Sequence, residues 1–180
     1  NNAEVIEQAL VGVDGIVHAA AKVSVSGDWE DYERTNIVGT QALLDAAIER
    51  SIPKFLYVSS PSVAHAGTAL IGEGNGAASP EHARGNYARS KATAELAVLA
   101  ANGTKLASGS TLRVGALRPH LIWGPGDTQL VERILDRAQS GRLPLLSGGT
   151  GLIDTLYIDN AADALVRGYE RLESIAGRAL

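Results

Sequence analysis

Apolar positions follow two alternating patterns along the 180 residues. Short continuous runs read as strands buried on both faces: Gly15-Ile16-Val17-His18-Ala19, Phe55-Leu56-Tyr57-Val58 and residues 111–117. Between them, apolar residues recur at helical spacing. Residues 31–50 carry Ile37, Leu43, Leu44, Ala47 and Ile48 at that spacing and stop at Ser51-Ile52-Pro53. Residues 87–101 predict a second long helix, closed by Asn102-Gly103. Residues 3–10 read as the end of a helix, and 128–140 and 160–172 as two further helices. Short strands are expected at 143–146 and 155–158, and a loop from Arg118-Pro119 to Gly124-Pro125-Gly126. Residues 61–85, rich in Gly, Ser, Ala and Pro, predict a long loop of the kind that usually carries function. Strands alternating with helices imply right-handed crossovers around a parallel sheet. The expected fold class is α/β, a Rossmann-like doubly wound sheet.

Composition narrows the function classes. With 45% hydrophobic residues the chain can bury a core, and with no cysteine it has neither disulfides nor a zinc–cysteine scaffold. A net charge of −4, mixed along the chain, argues against nucleic acid as a partner. No run approaches the ~20 apolar residues of a membrane span. The start, Asn1-Asn2-Ala3-Glu4, has no signal-peptide character, so the cytoplasm is the default location. No metal-ligating cluster stands out. The absence of methionine suggests a piece of a longer protein.

In an open parallel sheet, ligands bind outside the carboxyl ends of the strands. The residues there are His18-Ala19-Ala20-Ala21 after the first run, Ser59-Ser60 after the second and Arg118-Pro119-His120 after the third. Tyr87 and Lys91 stand four apart on one helix face. A tyrosine exchanges a proton with an alcohol or ketone oxygen if its pKa falls from about 10, and a lysine one turn away favours tyrosinate. A strand-end serine can hold the same oxygen. Alone, each feature has a bland reading: a surface Tyr–Lys pair, an ordinary strand-end serine pair, a hydrogen-bonded edge histidine. Their order at successive ligand-facing ends is what singles them out.

These motifs resemble the extended short-chain dehydrogenase/reductases of the NAD-dependent epimerase/dehydratase superfamily. The resemblance rests on residues 14–21, Asn36-Ile37-Val38-Gly39-Thr40, Tyr57-Val58-Ser59-Ser60, Tyr87-Ala88-Arg89-Ser90-Lys91 and residues 118–125. Leu99-Ala100-Ala101-Asn102-Gly103 and Ala116-Leu117-Arg118-Pro119 are similar to the 3β-hydroxysteroid dehydrogenase branch. Residues 118–127 resemble its 2-alkyl-3-oxoalkanoate reductases. The resemblance implies NAD or NADP as cofactor. It implies Tyr87 as acid/base and Lys91 on the nicotinamide ribose, lowering the Tyr87 pKa. Ser60 would polarise the substrate oxygen, with Ser59 the alternative, and Asn36 would serve a proton relay or order its helix. His18, Ala19, Ala20, Ala21 and Ser59 would line the cofactor, and Pro119, His120, Leu121 and Ile122 would flank the nicotinamide. His120, Trp123 and residues 62–76 fall to the substrate side. Residues 1–118 would be the later part of the nucleotide-binding domain. Residues 119–180 would mix the nicotinamide loop, the start of a substrate region and remaining Rossmann elements. A homodimer through the two long helices is expected.

Departures from the pattern refine the substrate. Sugar-nucleotide enzymes usually carry an asparagine at the place of Leu121 and an Arg-Asp-aromatic segment where Ile153-Asp154-Thr155 stands. Their Asp-Glu pair is replaced by Pro61-Ser62. The losses favour a small, bulky apolar molecule: a hydroxysteroid or a long-chain 3-oxo acid. A sugar-nucleotide epimerase or dehydratase is the alternative, and a non-catalytic nucleotide sensor the second. No G-x-x-G-x-x-G follows a strand, and Gly72-Glu73-Gly74-Asn75-Gly76 is no substitute. The 180 residues alone are therefore expected to bind cofactor poorly.

Overall fold

The computed structural model describes residues 3–23, 27–65, 74–128, 131–144, 146–151 and 153–180. They form α1 (Ala3–Ala9), β1 (Ile16–His18), α2 (Trp29–Tyr32), a π-helical stretch (Glu33–Val38), α3 (Gly39–Glu49) and β2 (Lys54–Val58). A 3-10 turn (Pro61–Ala64), α4 (Gly85–Ala100), β3 (Arg113–Leu117), β4 (Leu121–Trp123) and α5 (Val131–Gln139) follow. A second 3-10 turn (Leu146–Gly149), β5 (Thr155–Tyr157), α6 (Ile158–Glu170) and α7 (Leu172–Ile175) complete the order. The chain is α/β with parallel strands, as expected, and divides into two units: residues 1–118 with 165–180, and residues 119–164.

In the first unit β1, β2 and β3 pair in parallel, with His18 opposite Tyr57 and Tyr57 opposite Ala116. Residues 178–180 lie along β3 through a parallel bridge at Ala179. One side of the sheet packs Phe55, Tyr57, Val114 and Ala116 against Leu44, Ala47, Ala94 and Val98. The other packs Leu56 and Leu117 against Leu165, Tyr169, Leu172 and Ile175. Gly168 lets α6 approach: a Cβ there would meet Leu117 Cδ1 at 2.7 Å. Gly103, beyond the end of α4, takes the left-handed conformation (φ 88°) that a side chain would oppose.

The helix expected over 31–50 is interrupted by the π-helical stretch. An extra residue in that turn puts Tyr32, Asn36, Thr40 and Leu44 on one buried face, although two of the four are polar. In the second unit, β4 pairs in parallel with β5, Trp123 opposite Tyr157, with rings 5.3 Å apart edge-to-face. Two local expectations are corrected. Residues 121–123, read as loop, form a strand. The strand expected at 143–146 is not formed: residues 143 and 144 are irregular and 146 opens a 3-10 turn, while residue 145 lies outside the described residues. Among the described residues no helix is long and apolar enough to cross a membrane, and no cluster could hold a metal ion.

Candidate active site

The parallel sheet brings the ends of β1 and β2 beside the first turns of α4. β1 ends at His18, and Ala19 and Ala20 beyond it are exposed. The end of β2 delivers Ser59 and Ser60 side by side with opposite orientations. Ser59 is buried and its Oγ has no hydrogen-bond partner, while its backbone N–H donates to the Leu117 carbonyl at 2.7 Å. Ser60 turns the other way, and its hydroxyl lies beside the Tyr87 phenol. Of the serine doublet, Ser60 is the one that meets the tyrosine.

Lys91 is 2% exposed, and its ammonium has one carbonyl acceptor, Val58 O at 2.6 Å, and the Tyr57 ring at 4.0 Å. An ammonium has three protons to give, so it retains donor capacity beyond that bond. Burial lowers its pKa from 10.5 to about 8, and the Glu95 carboxylate, one further turn along α4, opposes the fall. Burial also raises the Tyr87 phenol, and the neighbouring Ser60 hydroxyl pulls it down. Lys91 is turned to the Val58 carbonyl and the Tyr57 ring. The Tyr57 hydroxyl is buried and forms no hydrogen bond of good geometry. Thr40 lies near it, but the Thr40 proton is committed to the Asn36 carbonyl at 2.7 Å.

Asn36 is 1% exposed and clamps a backbone segment. Its Oδ1 accepts the Lys22 N–H at 2.7 Å, and its Nδ2 donates to the Lys22 carbonyl at 3.2 Å. The same Nδ2 donates to Ser90 Oγ at 2.9 Å, and Ser90 donates to the Tyr87 carbonyl at 2.8 Å. One amide thereby links the segment after β1 to the first turn of α4. Lys22 is held from the other side by Asp31 at 3.0 Å.

His18 points into the core. Its Nε2 lies 2.9 Å from Thr40 Oγ1, and its ring stands against Phe55 and Tyr57. Because Thr40 gives its own proton to Asn36, the neutral imidazole carries its proton on Nε2. Burial, with the Lys91 charge second, lowers its pKa to about 4.

Pro119, His120, Leu121 and Ile122 belong to the second unit, where Leu121, Ile122 and Trp123 are exposed and His120 Nδ1 lies 3.8 Å from Asp154. Of the 62–76 loop, residues 66–73 lie outside the described residues. Glu95, Ser90 and Thr40 were not among the sequence candidates. Glu95 stands eight residues after Tyr87, on the same helix face, which was the available signal.

The chain matches the 3-beta hydroxysteroid dehydrogenase/isomerase family over residues 1–176. It belongs to that family. Within it, the chain is 42% identical over 172 residues to the 2-alkyl-3-oxoalkanoate reductase of Stenotrophomonas maltophilia, covering 94% of this chain and 50% of that protein. It is 30% identical over 179 residues to the sterol-4-alpha-carboxylate 3-dehydrogenase, decarboxylating, of Mus musculus, covering 97% and 48%. Among solved structures it resembles a double mutant of the dTDP-glucose 4,6-dehydratase of Streptomyces venezuelae, which holds NAD. That likeness has a TM-score of 0.78 and 26% identity, and covers 99% of this chain and 54% of the other. The chain spans about half the length of the curated relatives it matches.

Proposed function

We propose that the whole protein is an NAD(P)-dependent oxidoreductase that interconverts a secondary alcohol and a ketone on a bulky apolar substrate. The observation that carries this reading is the meeting of Tyr87 with Ser60, one helical turn from the buried Lys91. The chain's own residues suit the sugar side of a nicotinamide cofactor. Lys91 has donors to spare, Ser59 offers a buried hydroxyl without a partner, and Ala19 and Ala20 leave room against the backbone. Such a cofactor, when bound, supplies the hydride. Ser60 and Tyr87 hold the substrate oxygen between them. Burial keeps the proton on Tyr87, which suits it to protonate a ketone oxygen as that oxygen gains negative charge.

The second unit supports an apolar substrate. Leu121 exposes an apolar side chain where sugar-nucleotide enzymes usually carry an asparagine, and Ile122 and Trp123 beside it are exposed too. With the 42% identical relative acting on a 2-alkyl-3-oxoalkanoate, a long-chain 3-oxo acid is favoured over a sterol. Exposed Val38 and Leu96, from the two long helices, suit a homodimer, which light scattering on the full-length protein would test. In that protein, Tyr87→Phe is expected to abolish reduction of a long-chain 2-alkyl-3-oxo acid while leaving NAD(P)H binding intact. Unchanged turnover would refute the assignment, and saturable turnover of a UDP- or dTDP-sugar would move it to the sugar-nucleotide enzymes.

A further inference from the structure

In the sequence Ser62 stands where sugar dehydratases carry the second residue of their Asp-Glu pair and opens the 62–76 stretch, and in the structure its hydroxyl touches Ser60. Ser60 has an extended backbone (φ −155°, ψ 146°) and caps the 3-10 turn that follows β2, its Oγ accepting the Ser62 N–H at 3.3 Å. Pro61, between them, has no N–H to compete for that oxygen. Ser60 Oγ also lies 2.9 Å from Ser62 Oγ, a contact that either hydroxyl can donate. We propose that Ser62 is a positioning residue, donating its hydroxyl proton to Ser60 Oγ so that the Ser60 proton is aimed at the oxygen being reduced beside Tyr87. The inference rests on the oxidoreductase reading above.

Protons and lone pairs decide the polarity of this contact. A serine hydroxyl has one proton and two acceptor sites. The Ser62 N–H occupies one site. If Ser60 donated to Ser62 Oγ, its proton would be spent there and it could only accept on its remaining side. A ketone oxygen, which also only accepts, would then find no donor on Ser60. If Ser62 donates, both acceptor sites of Ser60 are filled and its proton is left for the Tyr87 side. Only this polarity lets Ser60 and Tyr87 donate together to one oxygen. It also lets Ser60 donate to a tyrosinate, which favours ionisation of the phenol. The groups around Tyr87 are Ser60 from the turn after β2, Tyr57 from β2 and Lys91 one turn along its own helix. Lys91 is in turn faced by His18 from β1 and Glu95 from α4. Replacing Ser62 alters none of these charges.

The test uses the full-length protein with a long-chain 2-alkyl-3-oxo acid and NAD(P)H. Ser62→Ala should lower kcat about fivefold to tenfold, the weight of one hydrogen bond felt at the reacting atoms, with KM within about twofold. It should also move the Tyr87 titration to higher pH by about half a unit, read as tyrosinate ultraviolet absorbance against a Tyr87→Phe control. Ser62→Thr, which keeps the hydroxyl, should restore both. A parent-like kcat and an unmoved titration in Ser62→Ala, with Tyr87→Phe inactive, overturn the role of Ser62 alone. A lower kcat with no titration shift and no rescue by threonine marks a structural effect and overturns it too. Turnover surviving in Tyr87→Phe removes the oxidoreductase reading, and this inference with it.

Discussion

Arg118 and Glu95 form a two-point ion pair inside the first unit, Nε to Oε2 at 2.9 Å and Nη2 to Oε1 at 2.5 Å, with side chains 5% and 0% exposed. The remaining arm of Arg118 holds the carbonyls of Asn75 and Gly76. The pair joins α4 to the end of β3 and to the segment before α4. Removing one member of a buried pair strands the other charge, which typically costs about 3–5 kcal/mol, whereas replacing both by apolar residues costs far less. Glu95→Leu should therefore destabilise the full-length protein strongly, and Glu95→Leu/Arg118→Met should recover much of the loss. Denaturation midpoints of the two variants decide it; additive losses in the double variant would contradict the account.

Asn36 satisfies both backbone groups of Lys22 with one amide. Asn36→Ala leaves these groups and Ser90 short of partners, at about 1–3 kcal/mol for the buried polar groups left unpaired. The expected signature is local: the Lys22 amide should exchange with deuterium at least tenfold faster in the variant, while the β2 amides change only as far as global stability does. Uniform acceleration across the sheet would show a general loss of stability instead of a clamp.

Lys91 carries a stability cost of its own. Its folded value of about 8 lies below the unfolded 10.5. The stability of a buried neutral amine is full above pH 10.5 and is lost as pH falls through about 8. At pH 7 the folded chain bears the whole cost of a buried ammonium. Lys91→Met should accordingly raise stability at pH 7 by on the order of 1–3 kcal/mol, and the advantage should fade as pH approaches 10.5. Urea midpoints of parent and variant across that range test the sign. On the proposed function the same substitution removes turnover, an exchange of stability for activity seen at many functional sites.

His18 gives the matching acid-side dependence. Its folded value of about 4 lies below the ordinary 6.5, so its contribution is complete above pH 6.5 and is lost as pH falls to 4. The size is on the order of 3 kcal/mol at full protonation of the unfolded chain. His18→Asn, which keeps a donor near Thr40, should flatten the stability profile between pH 6.5 and 4. A variant as steep as the parent would place the acid sensitivity elsewhere.

The helices and the parallel pairing could be read from the sequence because each rests on local periodicity: Phe55 to Val58 as a continuous run, Tyr87 and Lys91 one turn apart. What escaped was set by other means. The π turn cannot be read from apolar spacing, so the buried roles of Asn36 and Thr40 were hidden by their polarity. The partner of Asn36 is backbone at Lys22, and backbone has no identity in a sequence. β4 is three residues with every side chain exposed, so it shows neither alternation nor a buried run. Expecting a strand from residue 143 overreached, because so short an apolar run does not separate a strand from a turn. The resemblance put Ser60 ahead of Ser59, and the cap that Ser60 makes on the following turn is what sets them apart in the structure.

Residues 119–164 leave the first unit at the end of β3, and the chain re-enters it at residue 165. The tail then fastens to that same strand, with Arg118 N–H donating to the Leu180 carbonyl at 2.7 Å and Leu180 N–H to the Ala116 carbonyl at 2.9 Å. A segment anchored at both ends in this way is an exchangeable cassette. Doubling its length adds only about 0.6 kcal/mol of closure entropy. A lineage can therefore lengthen or rewrite it while the hydroxyls and charges around Tyr87 keep their scaffold. Diversification on this architecture has a preferred place to happen, and it lies outside the strands that carry those hydroxyls and charges.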